Sequence, residues 1–413
     1  MNIIKNTHQL FIKYLMITII YNSALGIWSG TIYLFMRHIG YTYAQINMFL
    51  MAFWIVTFIA ELPSGWLSDY FGHINIFLLS CVIRSLGLLI LFLTANNVFN
   101  LIMVAILTGI GDSLFSGTLD AWFVNKAKRI DKHFKLENAF TITSTCSTIL
   151  SLLTGFIGAQ YLANLNLGYP ILAGSILLIL CIPFAINEAE GLQRFKLNNV
   201  NRLKHFRLTN PLKFEKLKQN LKINRDFYFL SLAGLPLSLI VSGPFNQWQL
   251  LFQSNHQPIH TGWILIGVNM CGVIGSGLSG IIMKHFNKLA TLILLSVIMT
   301  FTTLLSVSIN STWLAVMFFL LHVLATSLDE VFRYTMLHNV IIGDNRNTLI
   351  SFNNTINAGA TLIALSLNGW LSDTYSIKFA WGALAIIGEI LTLVGYFWIF
   401  IYTKNKSNKV NKN

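Results

Sequence analysis

Ser64-Gly65-Trp66-Leu67-Ser68-Asp69-Tyr70-Phe71-Gly72-His73 stands between two long apolar runs, and Ser279-Gly280-Ile281-Ile282-Met283-Lys284-His285-Phe286-Asn287-Lys288 stands between two others in the second half of the chain. Each is followed, at nearly the same separation, by a second matching segment: Leu119-Asp120-Ala121-Trp122-Phe123 and Leu328-Asp329-Glu330-Val331-Phe332. One such match is within chance. Two in the same order mark an internal duplication, so the fold of one half is expected to be repeated in the other.

The chain has 413 residues, 54% of them apolar and only 10% charged, and its mean hydropathy is +0.63. Soluble domains carry roughly 25% charged residues. There is too little polar surface here for an ordinary soluble enzyme, and too much apolar sequence for a disordered chain. The apolar residues run continuously instead of alternating, which points to membrane-spanning helices and away from a β-barrel. A helical crossing needs about 20 apolar residues. Twelve runs qualify: 10–36, 43–67, 74–95, 98–125, 136–162, 168–187, 226–253, 260–283, 288–309, 312–342, 347–371 and 378–402. The first is too long for a signal-peptide core and lacks a small-x-small cleavage site. The expectation is an all-α integral membrane protein of 12 transmembrane helices in two pseudo-symmetric six-helix bundles. Residues 1–187 and 226–413 form the bundles, and 188–225 is a basic linker. Cys81, Cys146, Cys181 and Cys271 lie singly in different runs, so neither a disulfide framework nor a metal site is expected.

Net charge is +13. With twelve crossings both termini share a side. Arg84 and Arg333 fall inside runs, and of the remaining Lys and Arg only Arg37 and Lys378 lie in loops on the far side. Basic residues are retained in the cytoplasm, so a multi-pass cell-membrane protein with both termini cytoplasmic is expected. Basic residues are densest at Lys126, Lys128, Arg129, Lys132 and Lys135 and within 188–225. A loop resting on anionic membrane lipid accounts for that segment with no nucleic-acid partner. Asn210-Pro211 opens a short helix there, which Leu212, Leu217 and Leu221 would press onto the membrane surface.

The six-plus-six layout and the loop at 64–73 resemble the major facilitator superfamily (MFS), whose signature in that loop is G-x-x-x-D-[RK]-x-G-R-[RK]. Gly65, Asp69 and Gly72 match it. Glu61-Leu62-Pro63-Ser64-Gly65 and Ser116-Gly117-Thr118-Leu119-Asp120-Ala121-Trp122 are similar to bacterial efflux-type members. Tyr70, His73 and Ile74 depart from the usual basic residues, and Ala105 stands where many proton-coupled members carry Arg. Thr154-Gly155-Phe156-Ile157-Gly158 departs from the G-P-x-x-G-G pattern of drug–proton antiporters. The resemblance implies alternating access, with spans one, four, seven and ten around a central cavity. It also implies that Asp69 gates the cytoplasmic side against the start of span eleven, here Asn347-Thr348, where free N–H groups attract an anion. Lys284 holds the equivalent place in the second half, where a salt bridge to Glu137 is the expectation. A monomer without cofactor is expected.

Charge inside the membrane is the strongest functional cue, because an ionised group there is costly unless paired. The first half offers Glu61, Arg84, Asp112 and Asp120. At 1.5 Å per residue, Glu61 and Asp120 lie roughly 8–10 Å and Arg84 about 14 Å from the cytoplasmic ends of their spans, so one Arg could bridge neighbouring carboxylates. Three acids against one base leave carboxylate uncompensated, as proton carriage requires. Asp112 is the first candidate proton carrier and Glu61 the second; a static ion network is the alternative. The second half carries His322, Asp329, Glu330 and Arg333 on span ten, where Asp329 and Arg333 share a helical face. Glu389, on a span the family layout makes peripheral, is left outside the site.

Substrate-contact candidates are Tyr21, Asn22 and Trp28 on span one, and Asn246, Gln247 and Trp248 on span seven beyond Pro236 and Gly243-Pro244. Asn353, Asn354 and Asn357 on span eleven, with 353 and 357 on one face, complete the set. The prolines are expected to kink span seven. Aromatics and amides with little fixed charge suit an amphipathic or weakly cationic small molecule and not a phosphorylated one. The leading expectation is therefore a secondary active transporter exporting small amphipathic compounds in exchange for protons. An importer or facilitator of a polar metabolite such as a sugar is the alternative, and a non-transporting membrane receptor or scaffold the reading from another class. No HExxH or GxSxG motif supports an intramembrane enzyme, and no GxxxxGK[ST] loop supports a nucleotide-driven pump.

Overall fold

The computed structural model describes residues 2–94, 96–131, 134, 136–188, 223–253, 260–342 and 346–410. The short helix expected near 210–221, Lys132, Lys135 and the side chains of Asn347 and Thr348 lie outside the described residues. Among the described residues every regular element is helical. In the first half these are α1 (Asn2–Ser29), α2 (Ile32–His38), α3 (Tyr43–Phe71), α4 (His73–Leu93), α5 (Val98–Phe115), α6 (Thr118–Ile130), α7 (Leu136–Ile157) and α8 (Tyr169–Ala185). In the second they are α9 (Arg225–Gly234), α10 (Leu237–Phe252), α11 (Thr261–His285), α12 (Lys288–Ser308), α13 (Thr312–Val340), α14 (Arg346–Thr374) and α15 (Ile377–Val410).

The chemistry of several helix starts is explicit. Thr42 accepts from the Gln45 N–H at 3.2 Å while the Gln45 side chain accepts from the Thr42 N–H at 2.9 Å, a reciprocal cap that opens α3. Asn97 caps α5 through the Phe99 N–H, and Asn287 caps α12 through Leu289 and Ala290. The reversal between α3 and α4 falls on Gly72, whose φ of 92° is open to glycine and strained for other residues. Gly65 has no part in that turn: α3 continues as helix through Pro63 and Gly65 to Phe71.

Ten segments among the described residues are long and apolar enough to cross a membrane, and α9 with α10, bent by 46° at their junction, gives an eleventh. α14 is not counted among them. Its 29 residues are sufficient in length, but Asn347, Asn353, Asn354, Asn357 and Asn368 dilute its apolar content. An amide-rich helix at membrane depth is stable where its polar face lines protein or a cavity.

The described residues within Met1–Leu192 and Gln249–Gly267 form one compact unit, and those within Gln193–Trp248 and Val268–Asn413 form the other. In the first, α4 packs on α5 and α8, α1 on α7 and α8, and α3 on α5. In the second, α12 packs on α13 and α15, while α9 and α14 lie against α15. Its core joins Phe227, Leu292, Phe332 and Tyr396 in one cluster and Leu237, Ile240, Met299 and Leu328 in another. Large apolar side chains such as Phe58, Ile59, Phe99, Phe301, Phe397 and Trp398 remain exposed. In a bilayer these meet lipid, so helix association rests on close packing and interhelical hydrogen bonds more than on burial of apolar area.

Candidate functional site: two buried charge pairs and a cavity

In the first unit, α4 carries Arg84 to the wall of α5. The approach depends on Gly111, since a β-carbon there would meet the Arg84 β-carbon at 2.8 Å and its nitrogen at 3.1 Å. Arg84 is 5% exposed. Its guanidinium bridges to Asp112, and the same nitrogen donates to the Tyr21 hydroxyl at 3.2 Å. Tyr21 is fully buried and stacked on Phe115 with ring centres 3.8 Å apart, so α1 contributes a fixed second acceptor. The Asp112 side chain is 31% exposed against 6% for that of Arg84. The cation is therefore sealed, while its counter-ion opens to the surroundings.

The other first-half acids lie apart from this pair. The Tyr14 hydroxyl donates to Asp120 at 2.6 Å and the Tyr14 ring stacks on Phe123 at 4.2 Å, tying α1 to α6. Glu61 and Asp69 are exposed on α3. Sequence reasoning did not single out Glu188, which takes ion pairs from both Lys13 at 2.6 Å and Lys126 and so draws together α1, α6 and the chain leaving α8. The available signal was an acid closing an apolar run, Glu188 with Glu190 after it, at the end of the spans where basic residues gather. Asn22 donates to its own helix at Thr18, and the Trp28 indole N–H is buried without a partner.

In the second unit the expected Asp329–Arg333 pair forms across one turn of α13, with Asp329 1% exposed. The guanidinium has a further acceptor that spacing alone does not disclose. Pro236 carries no N–H, and Ser238 and Leu239 bond back to Leu235 and Pro236, three residues earlier, so the α9–α10 junction is tightened and bent. The Gly234 carbonyl then receives the Arg333 side chain at 3.2 Å. A β-carbon at Gly234 would meet that nitrogen at 2.7 Å.

Arg333 faces an open cavity of about 410 Å³ within this unit. α13 contributes Thr326, Glu330, Arg333 and Tyr334; α14 contributes Asn353, Asn354, Asn357 and Thr361; Ser231, Ser238, Val241 and Phe245 come from the bent pair. The candidates Asn353, Asn354 and Asn357 thus line it, and Glu330 and Tyr334 join them. Glu330 is exposed and forms no salt bridge among the described residues. With Asp329 and Arg333 balancing each other, the cavity keeps one uncompensated negative charge. The span-seven candidates sit elsewhere. Gln247 accepts from the Trp381 indole at 3.0 Å, Trp248 stacks near Phe319 at 6.2 Å, and Asn246 donates to Ser242. His322, 2% exposed, lies between α13 and α12 with Thr303 at 3.0 Å.

The family profile of the Major Facilitator Superfamily matches residues 14–328. No curated protein matches the sequence. Among solved structures, a mutant of the nucleoside transporter NupG is similar with a TM-score of 0.70 at 12% identity, covering 95% of this chain and 99% of its own. An auto-inhibited POT family peptide transporter is similar at 0.69 and 11%, covering 95% and 96%. A bacterial homolog of the human lysosomal transporter Spinster is similar at 0.66 and 11%, covering 96% and 97%. At such identities the likeness is one of fold, while the profile spans well over half of the chain. The chain belongs to the Major Facilitator Superfamily of membrane transporters.

Proposed function

We propose that the protein is a secondary active transporter that exports small amphipathic compounds, weakly cationic ones above all, in exchange for protons. The observation that carries this reading is the cavity of the second unit. The Glu330 carboxylate stands in it with no salt bridge among the described residues, since the neighbouring Arg333 is paired with Asp329, and beside it lie the aromatic walls Phe245 and Tyr334 and the amides Asn353, Asn354 and Asn357. An amine on the solute would complete the charge balance, the rings would cover its apolar part, and the amides would orient it. A phosphorylated solute would meet Glu330 with like charge. Protons are assigned to the Arg84–Asp112 pair, whose acid is accessible while its base is sealed. The export direction rests on the likeness of 61–65 and 116–122 to efflux-type members.

The three amides also favour a second reading, import or facilitated passage of an uncharged polar metabolite, because carboxamides both donate to and accept from hydroxyl groups. The two readings separate in proteoliposomes loaded with a pH-sensitive dye and offered cationic dyes, antibiotics and sugars in turn. Export by exchange gives a pH change that depends on an amphipathic cation and is lost in Asp112→Asn. A response to sugars alone, or transport with no pH change, overturns the first reading.

A further inference from the structure

Glu389 belongs to a helix that the family layout makes peripheral, yet the residue is only 9% exposed in the packing of α15 against α12. Ser296 Oγ donates to one of its oxygens and Thr300 Oγ1 to the other, each at 3.2 Å. Among the described residues it forms no salt bridge. Two hydroxyls can hold a carboxyl group in place, but they supply no charge to balance a carboxylate at membrane depth.

The hydroxyl stripe that holds Glu389 continues. Ser296, Thr300 and Thr303 fall at i, i+4 and i+7 on α12, one face of the helix, where neighbouring β-carbons lie about 5–6 Å apart. Thr303 Oγ1 stands 3.0 Å from His322 Nδ1, and Thr326 Oγ1 stands 3.4 Å from His322 Nε2. Thr326 is itself a wall of the cavity. The imidazole therefore has a hydroxyl at each nitrogen, one toward the cavity and one toward the stripe. A ring so placed accepts a proton on one nitrogen while releasing one from the other.

We propose that Glu389 is a second proton-binding group of the transporter, loaded from the cavity through Thr326, His322 and the Thr303–Thr300 hydroxyls. This deepens the proton-exchange reading and rests on it. A proton arriving by this route converts the carboxylate to neutral carboxyl, and its return leaves the carboxylate again, so each cycle conserves charge and atoms. The other titratable groups of the helices packed around Glu389 are few. On α13 they are His322, Asp329 with its partner Arg333, the exposed Glu330, and, further along the helix, Tyr334 and His338. On α15 itself Tyr396 lies within electrostatic reach of both Glu389 and the Asp329–Arg333 pair. α9, α12 and α14 carry charge only in their terminal turns, at Arg225, Asp226, Lys288, Arg346 and Asp373, and α10 carries none.

The test has two readouts on the full-length protein. Infrared difference spectra of reconstituted wild type, taken across a pH titration, are expected to contain a protonated-carboxyl band that Glu389→Gln removes and Ser296→Ala/Thr300→Ala shifts. In vesicles, Glu389→Gln is expected to lose proton movement coupled to substrate while retaining substrate counterflow, in which no net proton transfer is needed. His322→Phe is expected to retain the band but slow its response to a pH step. A Glu389→Gln spectrum identical to wild type overturns the proposal, as does unchanged proton coupling in that variant. If wild type moves no protons at all while the band is present and lost in Glu389→Gln, the exchange reading fails and the assignment of a protonated Glu389 stands.

Discussion

Arg84 has one carboxylate and one phenol as acceptors and is 5% exposed. Removing the acid from such a pair leaves a buried cation without its counter-ion, a change that costs about 3–5 kcal/mol when both groups are sealed. Because Asp112 is 31% exposed, the lower end, about 3 kcal/mol, applies. Asp112→Ala is therefore expected to melt well below wild type in detergent, and Arg84→Met/Asp112→Ala to recover much of the loss, with tryptophan fluorescence as the monitor. Equal melting of single and double variants would contradict a coupled pair. Two glycines give a sharper contrast. Gly111→Ala forces a contact at 2.8 Å against Arg84 and is expected to destabilise by about 1–3 kcal/mol. Gly65→Ala meets nothing within 4 Å and sits inside a helix, where Ala is favoured over Gly by about 1 kcal/mol, so its melting temperature should equal or exceed that of wild type. In the cavity, Glu330→Gln removes the uncompensated charge. Uptake assays over a series of solutes are expected to show a raised KM for cationic compounds and little change for neutral ones; an equal loss for both would remove charge recognition from the account.

Among the elements, the bent pair α9–α10 links sequence chemistry to site geometry most directly. Pro236 withholds an N–H, the junction tightens, and the Gly234 carbonyl becomes an anchor for Arg333. Pro236→Ala allows the ordinary helical bonds to form and withdraws that anchor. The variant is expected to melt no lower than wild type but to turn over more slowly in counterflow, about tenfold for each ~1.4 kcal/mol added to the rate-limiting barrier. Undiminished turnover would mean the bend has no part in the cycle. Helix starts were legible from sequence where a capping residue stands beside an apolar run. The runs beginning at 43, 98 and 288 open as helices at Tyr43, Val98 and Lys288, behind the capping residues Thr42, Asn97 and Asn287. Ends were less legible, since α3 carries its hydrogen bonds past residue 67 into polar sequence and stops only at Gly72. The break between α5 and α6, with Gly117 at φ 71°, was not legible because the apolar run carries on through Leu119, Ala121, Trp122, Phe123 and Val124 before the basic residues that end α6. At the site, Asp329 and Arg333 could be paired on spacing alone because they share a helix. Arg84 had three acids to choose from and no local rule to select Asp112. Glu389 draws its partners from residues 89 and 93 positions away in sequence, so its setting emerges only from the packing of α12 on α15.

At the scale of the whole molecule, each unit carries one Arg–Asp pair, Arg84 with Asp112 and Arg333 with Asp329, but at positions that the repeat does not relate, since the matching segments set Asp329 against Asp120. The asymmetry of the molecule lies in its basic residues, which pair or crowd at one end of the spans and are sparse at the other. Lys13 and Lys126 meet Glu188 where α1, α6 and the end of α8 converge, and Lys284 and Lys288 flank the exposed turn between α11 and α12. At the other ends, Arg37 closes α2 and Lys378 opens α15. Positive charge next to a span resists translocation, so we propose that the crowded ends face the cytoplasm. Single cysteines introduced into a background lacking Cys81, Cys146, Cys181 and Cys271 test this with a membrane-impermeant maleimide. His38→Cys and Tyr375→Cys, both at exposed positions, are expected to label in intact cells. Lys128→Cys and His285→Cys, also exposed, are expected to label only after the membrane is permeabilised. Reversal of all four would invert the orientation and, with it, the direction assigned to transport. Labelling of Lys128→Cys and His285→Cys from opposite sides would contradict the twelve-span layout, because these positions follow spans four and eight, which an even number of crossings places on one side of the membrane.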